Sequence, residues 1–171
     1  MTGTPLDQLR RELSASREGL LRAISGVSEQ QFKRRPESTA EDSQPWCIAE
    51  VLTHLLMDEQ LWASRISQAL AEDGGSVQPS DRQEGAAKVR AGRIAPVPQI
   101  IHGLLAVRRD LERLLQAVEL HEDGLRLRVL QPERGALSIE WMVRKVIDHE
   151  NEHVAQIEAL RLAMAADVAG R

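Results

Sequence analysis

The stretch Ile139-Glu-Trp-Met-Val-Arg-Lys-Val-Ile-Asp-His149-Glu150-Asn151-Glu152-His153-Val-Ala-Gln-Ile-Glu-Ala-Leu160 decides how the rest of the chain is read. It contains neither Pro nor Gly, and Ser138 stands before it as an N-cap. At 100° per residue, Met142, Val146, His149, His153, Ile157, Leu160 and Met164 share one face, so the stretch predicts a helix ending near Ala166. Two histidines one turn apart thus point the same way from the edge of a stripe that should be buried. Imidazoles at i and i+4 can converge on one metal ion; one buried histidine is more often a hydrogen-bonded core residue, whereas for such a pair the two readings are about even. A third ligand would decide between the two readings.

Three more periodic segments precede it. Leu6, Leu9, Leu13, Leu20, Ile24 and Val27 predict a helix from about Pro5 to Ser25, with a polar gap at Ser16–Arg17 and a stop at Gly26. Ile48, Val51, Leu52, Leu55, Trp62, Ile66 and Leu70 predict a second, opening at Trp46–Cys47 and running to about Ala71. His54 lies on one flank of that arc with Asp58 a turn further on, and Glu59 lies inside it, an odd place for an unpaired carboxylate. Val97, Ile100, Ile101, Leu104, Val107, Leu111, Leu115 and Val118 predict a third over 97–119, weakened a little by Gly103. Residues 33–45, 72–94 and 120–137 read as long connections with short local structure at most. Within the last, Leu125, Leu127 and Val129 alternate as a short extended piece would.

The expected fold is therefore an all-α four-helix bundle filling one domain, residues 1–171. Its connections are too long for tight hairpins, so crossovers are expected. The 171 residues carry only four aromatics (Phe32, Trp46, Trp62 and Trp141), which suits helix packing built on Leu, Ile, Val, Ala and Met. A net charge of −4 without basic runs argues against a nucleic-acid or anionic-membrane surface. Cys47 is the single cysteine, and no secretory leader or membrane-length apolar run is visible, so a cytoplasmic protein is expected.

His54 supplies the candidate third ligand to His149 and His153. His102 points away from its apolar repeat and His121 falls past its helix end, so both are expected in solvent. Cys47 precedes His54 by seven residues, about 10 Å along a helix axis, too far to share an ion with it. Three protein ligands with open positions are the pattern of a catalytic rather than a structural site, and imidazoles suit zinc, nickel, iron or copper. Glu150 and Glu59 both fall within apolar arcs. Each is a candidate catalytic residue, as a base or as the partner of a ligand's second nitrogen; the alternative is a carboxylate salt-bridged to an Arg at a helix interface.

His149-Glu150-Asn151-Glu152-His153 is also a literal H-E-x-x-H, the zinc-protease motif. Only 18 residues follow it, Gln156 and Ala159 occupy the Gly and last His positions of the longer motif, and no substrate-binding sheet is patterned. The protease reading is set aside.

Trp46-Cys-Ile-Ala-Glu-Val-Leu-Thr-His54-Leu-Leu-Met-Asp-Glu59, followed much later by His149-x-x-x-His153-x-x-Gln156-Ile157, resembles the DinB/YfiT-like superfamily. The resemblance spans most of the chain and rests on the order and spacing of short motifs. It implies a four-helix bundle with crossovers, a divalent metal on His54, His149 and His153, and a homodimer. Members with known activity include transferases that conjugate a low-molecular-weight thiol to an electrophile, and a mycothiol-dependent maleylpyruvate isomerase. Cys47 departs from the Ser or Thr expected as the helix cap. The expected function is thus a metal-dependent enzyme that transfers or activates a small thiol. A metal-dependent hydrolase and a non-enzymatic helical binding protein are the alternatives.

Overall fold

Thr4 and Asp7 close the first turn of the chain reciprocally: the Asp7 amide donates to Thr4 Oγ1 (3.1 Å) and the Thr4 amide to Asp7 Oδ2 (2.9 Å). From that box, α1 runs over Pro5–Ile24. The computed structural model describes residues 3–38, 44–79 and 81–169. The remaining elements are α2 (Glu29–Lys33), α3 (Ile48–Ala71), β1 (Gly75–Ser76), α4 (Arg82–Ala91), α5 (Val97–Glu119), a 3-10 turn (Gly124–Arg126), β2 (Arg128–Gln131), β3 (Gly135–Ser138) and α6 (Ile139–Ala169).

The four long helices are those the apolar periods predict, and their ends follow from local chemistry. At α3, where Cys47 stands in place of a Ser or Thr cap, the Glu50 carboxylate accepts the Cys47 amide proton at 2.9 Å. Arg35 holds that carboxylate in turn. Ser138 caps α6 through the Trp141 amide, 3.2 Å away. Gly103 packs against the Leu56 side chain of α3: a Cβ there would stand 2.9 Å from Leu56 Cδ2, and the leucine would have to shift to admit it.

The connections hold more structure than their composition suggests. α2, capped by Ser28, fills the span between the stop at Gly26 and the first connection and ends at Lys33, where that connection begins; residues 39–43 of the connection lie outside the described part. The second contains α4, a ten-residue helix capped by Asp81. Its periodicity is invisible because, among its described side chains, only Val89 is buried. At its C-terminus Gly92 abuts α3, a Cβ there falling 2.1 Å from Thr53 Oγ1. In the third connection, the extended piece expected at 125–129 begins only at Arg128, since residues 124–126 are a 3-10 turn. It pairs antiparallel with β3 (Val129 opposite Leu137) and parallel with β1 (Gly75 opposite Val129), making a three-stranded sheet ordered β1-β2-β3. Val129 and Leu137 are buried against one end of the bundle.

α6 packs on α1 and α3, and α3 packs on α5. Two apolar clusters result. One joins Leu6, Leu9, Leu13, Trp62, Ile66, Leu111, Leu115, Met142 and Val146; the other joins Leu20, Ile24, Ile48, Leu52, Leu104, Ile157 and Met164. Every long helix contributes to both, and each interrupts its apolar face between them. The interruptions are Ser16–Arg17, Glu59, Arg108 and Glu150, all buried. They form a polar layer across the middle of the bundle.

Candidate metal centre

His54 enters the site from α3, while His149 and His153 enter one turn apart from α6. His149 Nε2 lies 3.0 Å from His54 Nε2 and 3.0 Å from His153 Nε2. One nitrogen from each ring falls within 4.8 Å of the others. The rings meet edge to face, with centroids 4.6 to 5.1 Å apart. Trp46 closes one side of His54 at a centroid distance of 5.0 Å.

The second nitrogens of the α6 pair are engaged. His149 Nδ1 lies 3.0 Å from Asp58 Oδ2, an oxygen that also accepts the Trp62 indole N–H at 2.7 Å. His153 Nδ1 lies 2.6 Å from Gln156 Oε1. Acceptors at both Nδ1 atoms place the protons there and leave the two Nε2 lone pairs turned toward each other. Facing lone pairs 3.0 Å apart repel unless a cation or proton stands between them. Imidazole nitrogens bound tetrahedrally at about 2.1 Å would lie about 3.4 Å apart, so small adjustments of these rings would suit a divalent ion.

Electrostatics favour the ligand form. Burial, reinforced by the neighbouring His149 and His153, lowers the His54 pKa to about 4. Burial also lowers that of His153, against a weaker opposing effect of Gln156. Both are neutral at pH 7. Burial alone would raise the Asp58 carboxyl, but its hydrogen bonds to His149 and Trp62 prevail and keep it ionised.

Glu59 and Glu150 meet arginines at the helix interface, the alternative that the sequence left open beside a role as base or ligand partner. Glu59 pairs with Arg17 and, at 2.5 Å, with Arg108 Nε. Glu150 lies 2.8 Å from Arg17 Nε, in a contact not aligned as a hydrogen bond, and 2.9 Å from Arg108 Nη2. Ser16 donates to it at 2.5 Å. Each carboxylate thus faces two guanidinium groups in a buried quartet, and the orienting work falls to Asp58 and Gln156. Sequence reasoning assigned those two no role, although Asp58 follows His54 at i+4 and Gln156 follows His153 at i+3. Arg17 and Arg108 were legible as charges on apolar faces (Leu13, Arg17, Leu20; Leu104, Arg108, Leu111) that matched two acids similarly placed. His102 and His121 are exposed, as their helix positions predict.

A cavity of about 430 Å³ opens beside His54 between α3 and α4, walled by Trp46, Met57, Leu61, Gly85 and Val89. A small molecule held there would lie against the imidazole cluster.

The fold is shared with solved structures. YfiT from Bacillus subtilis, described as a probable metal-dependent hydrolase with an unusual four-helix bundle topology, matches with a TM-score of 0.75 at 15% identity, over 94% of this chain and 87% of that one. A mycothiol-dependent maleylpyruvate isomerase matches with a TM-score of 0.68 at 13% identity, over 92% of this chain. This chain spans 63% of that isomerase. No curated protein matches the sequence. The sequence pattern of the DinB superfamily matches residues 8–157, and the chain belongs to that superfamily.

Proposed function

We propose that the protein is a divalent-metal-dependent enzyme of small-molecule chemistry, with His54, His149 and His153 as the ligands and at least one coordination position facing the cleft beside α4. The convergence of the three imidazole edges carries this reading. When bound, the ion would act as a Lewis acid that lowers the pKa of a thiol or water in its open position. The protein's own part is to hold His54 and His153 neutral, orient the α6 pair through Asp58 and Gln156, and seat the reactant against Trp46, Met57 and Leu61.

Of the two nucleophiles, a low-molecular-weight thiol suits the site better. Glu59 and Glu150 are tied to Arg17 and Arg108, Asp58 to His149, and Glu84 at the cleft to Lys88 (2.6 Å). Each buried or half-buried carboxylate near the imidazoles, among the described residues, is thus already paired, and Glu152, which acts on His153, is exposed to solvent. A thiol, with a free pKa of about 8.5, needs less help to ionise than water does. The thiol proton would pass to solvent, and the sulfur would then bond to an electrophilic carbon of the second substrate as the leaving group on that carbon departs with the bonding electron pair. Hydrolysis is the second reading, favoured by the description of the structurally similar YfiT.

Metal analysis of protein purified without a histidine tag tests the centre. One ion per chain is expected. Replacing His54, His149 or His153 by Ala should abolish tight binding, while His102→Ala should not. Asp58→Asn should keep the stoichiometry and weaken affinity by about 10–100-fold. A folded His54→Ala protein with undiminished stoichiometry and affinity would remove the three-histidine site. A loaded protein that hydrolyses electrophilic esters without consuming thiol would replace transfer by hydrolysis.

A homodimer and a cytoplasmic setting belong to the same proposal. The dimer rests on the family resemblance; the setting rests on one buried, unpaired Cys47 and the absence, among the described residues, of a helix able to cross a membrane. Light scattering at tens of micromolar that showed a 19.1 kDa species would dispose of the dimer.

A further inference from the structure

Beside the imidazole cluster lies a second cavity of about 230 Å³, shared by α3, α6 and the β2–β3 hairpin and meeting the first at Asp58 and Leu61. Arg65, Arg134, Lys145 and Gln131 line it together with Asp58 and His149. Arg134 and Lys145 are exposed at its rim, and Arg65 is buried, only 4% exposed. Arg65 makes no ion pair within 4 Å among the described residues, and Asp58 acts on it only from further off. The contacts of Arg65 are the Trp62 ring, 4.9 Å from the guanidinium carbon, and a long 3.5 Å approach to the Gln78 carbonyl. A guanidinium carries five donors, so most are left for something else. Arg134 stands near enough to act on Arg65 electrostatically, like charge against like.

Gln131 adds an independent sign. Its side chain is 6% exposed, and its Oε1 has no hydrogen-bond partner. Turned half a revolution, the same amide offers an NH2 donor at that place. Asp58 is the one acid in the cavity, and its Oδ2 is occupied by His149 and Trp62. Against three cations the cavity sets the single carboxylate of Asp58, so a further anion would balance the charge and meet the amide.

The geometry points to an anion subsite here that receives a carboxylate or phosphate group of the substrate whose reactive end lies at the three histidines. The positions set the span. Lys145 precedes His149 by one turn of α6, about 6 Å along the axis, and Arg65 follows Asp58 by seven residues of α3, about 10 Å. The ligand class is therefore a small organic acid or phosphate ester with roughly that separation between anion and reacting atom. Identification of the anion as the substrate's own end rests on the metal-enzyme reading; the anion site itself does not.

The test uses metal-free protein, so that no ion can hold the probe. Inorganic phosphate, glutarate and neutral glutaramide are titrated by calorimetry, with the Trp62 indole N–H followed by NMR. Saturable binding of phosphate, glutarate or both, with a shift of the Trp62 signal and none with glutaramide, is the expected result; whichever binds tighter names the group. Arg65 is buried, so its replacement tests the fold as well as the site. The exposed Arg134 and Lys145 carry the test: Arg134→Glu and Lys145→Ala should each weaken binding by about tenfold or more. Arg109→Glu, on the exposed face of α5, should change it by less than about twofold. No saturable binding of either anion up to about 20 mM, or equal losses in Arg134→Glu and Arg109→Glu, overturns the subsite. Metal stoichiometry, measured separately on the same variants, shows whether the histidine centre stands or falls independently.

Discussion

His54 shows how a single residue is tuned by its surroundings. Its imidazole takes up a proton only near pH 4 when folded, against about 6.5 in an open chain. Between those values the unfolded chain binds a proton that the folded one refuses, so the native state loses stability as pH falls through that window. His153, lowered in the same direction, adds to the loss. For the metal-free protein, the urea midpoint should therefore fall from pH 7 to pH 5, and His54→Asn should flatten that fall. A midpoint constant over this range, or a slope unchanged in the variant, would contradict the burial argument. The i,i+4 relation of His149 and His153 follows from helical geometry alone and was readable at once. Their partners Asp58 and Gln156 were not, because sequence spacing shows which residues share a face but not which rotamer meets which nitrogen.

At the scale of one element, α4 is the least expected helix and the one that walls the cleft. Gly85 lies in its interior without a positive φ, and a Cβ added there meets no atom within 4 Å. Glycine in such a place costs about 0.5–1 kcal/mol relative to alanine, and no packing in the protein requires it. Gly85→Ala should thus raise stability by about that amount, seen as a higher urea midpoint with unchanged slope, while placing a methyl in the cleft. A lower midpoint would mean that α4 packs differently from the arrangement described. Composition hid this helix for a physical reason. One buried residue among its described side chains, Val89, leaves no apolar period to detect, and the Asp81 cap together with docking against Thr53 of α3 makes the helix.

Across the whole molecule, the quartet of Arg17, Glu59, Arg108 and Glu150 ties α1, α3, α5 and α6 together between two apolar clusters. Each charge is compensated only while the other three are present. Arg108→Ala, which leaves two buried carboxylates sharing Arg17 alone, should destabilise by about 3–5 kcal/mol in urea unfolding; replacing all four by apolar residues of similar volume should cost far less. A loss below about 1 kcal/mol for Arg108→Ala would show that water reaches the layer. The sequence by itself determined the four long helices, their inward faces and the paired histidines of α6. Each of these follows from local hydrogen bonding and an apolar repeat contained within one segment. Only the tertiary structure decided that His54, 95 residues from His149, stands 3.0 Å from it. It alone also settled that Glu59 and Glu150 answer to arginines rather than to imidazoles, and that three short strands close one end of the bundle. Contacts of that kind depend on how helices cross and which charges meet in the middle, and no period within a single segment records them.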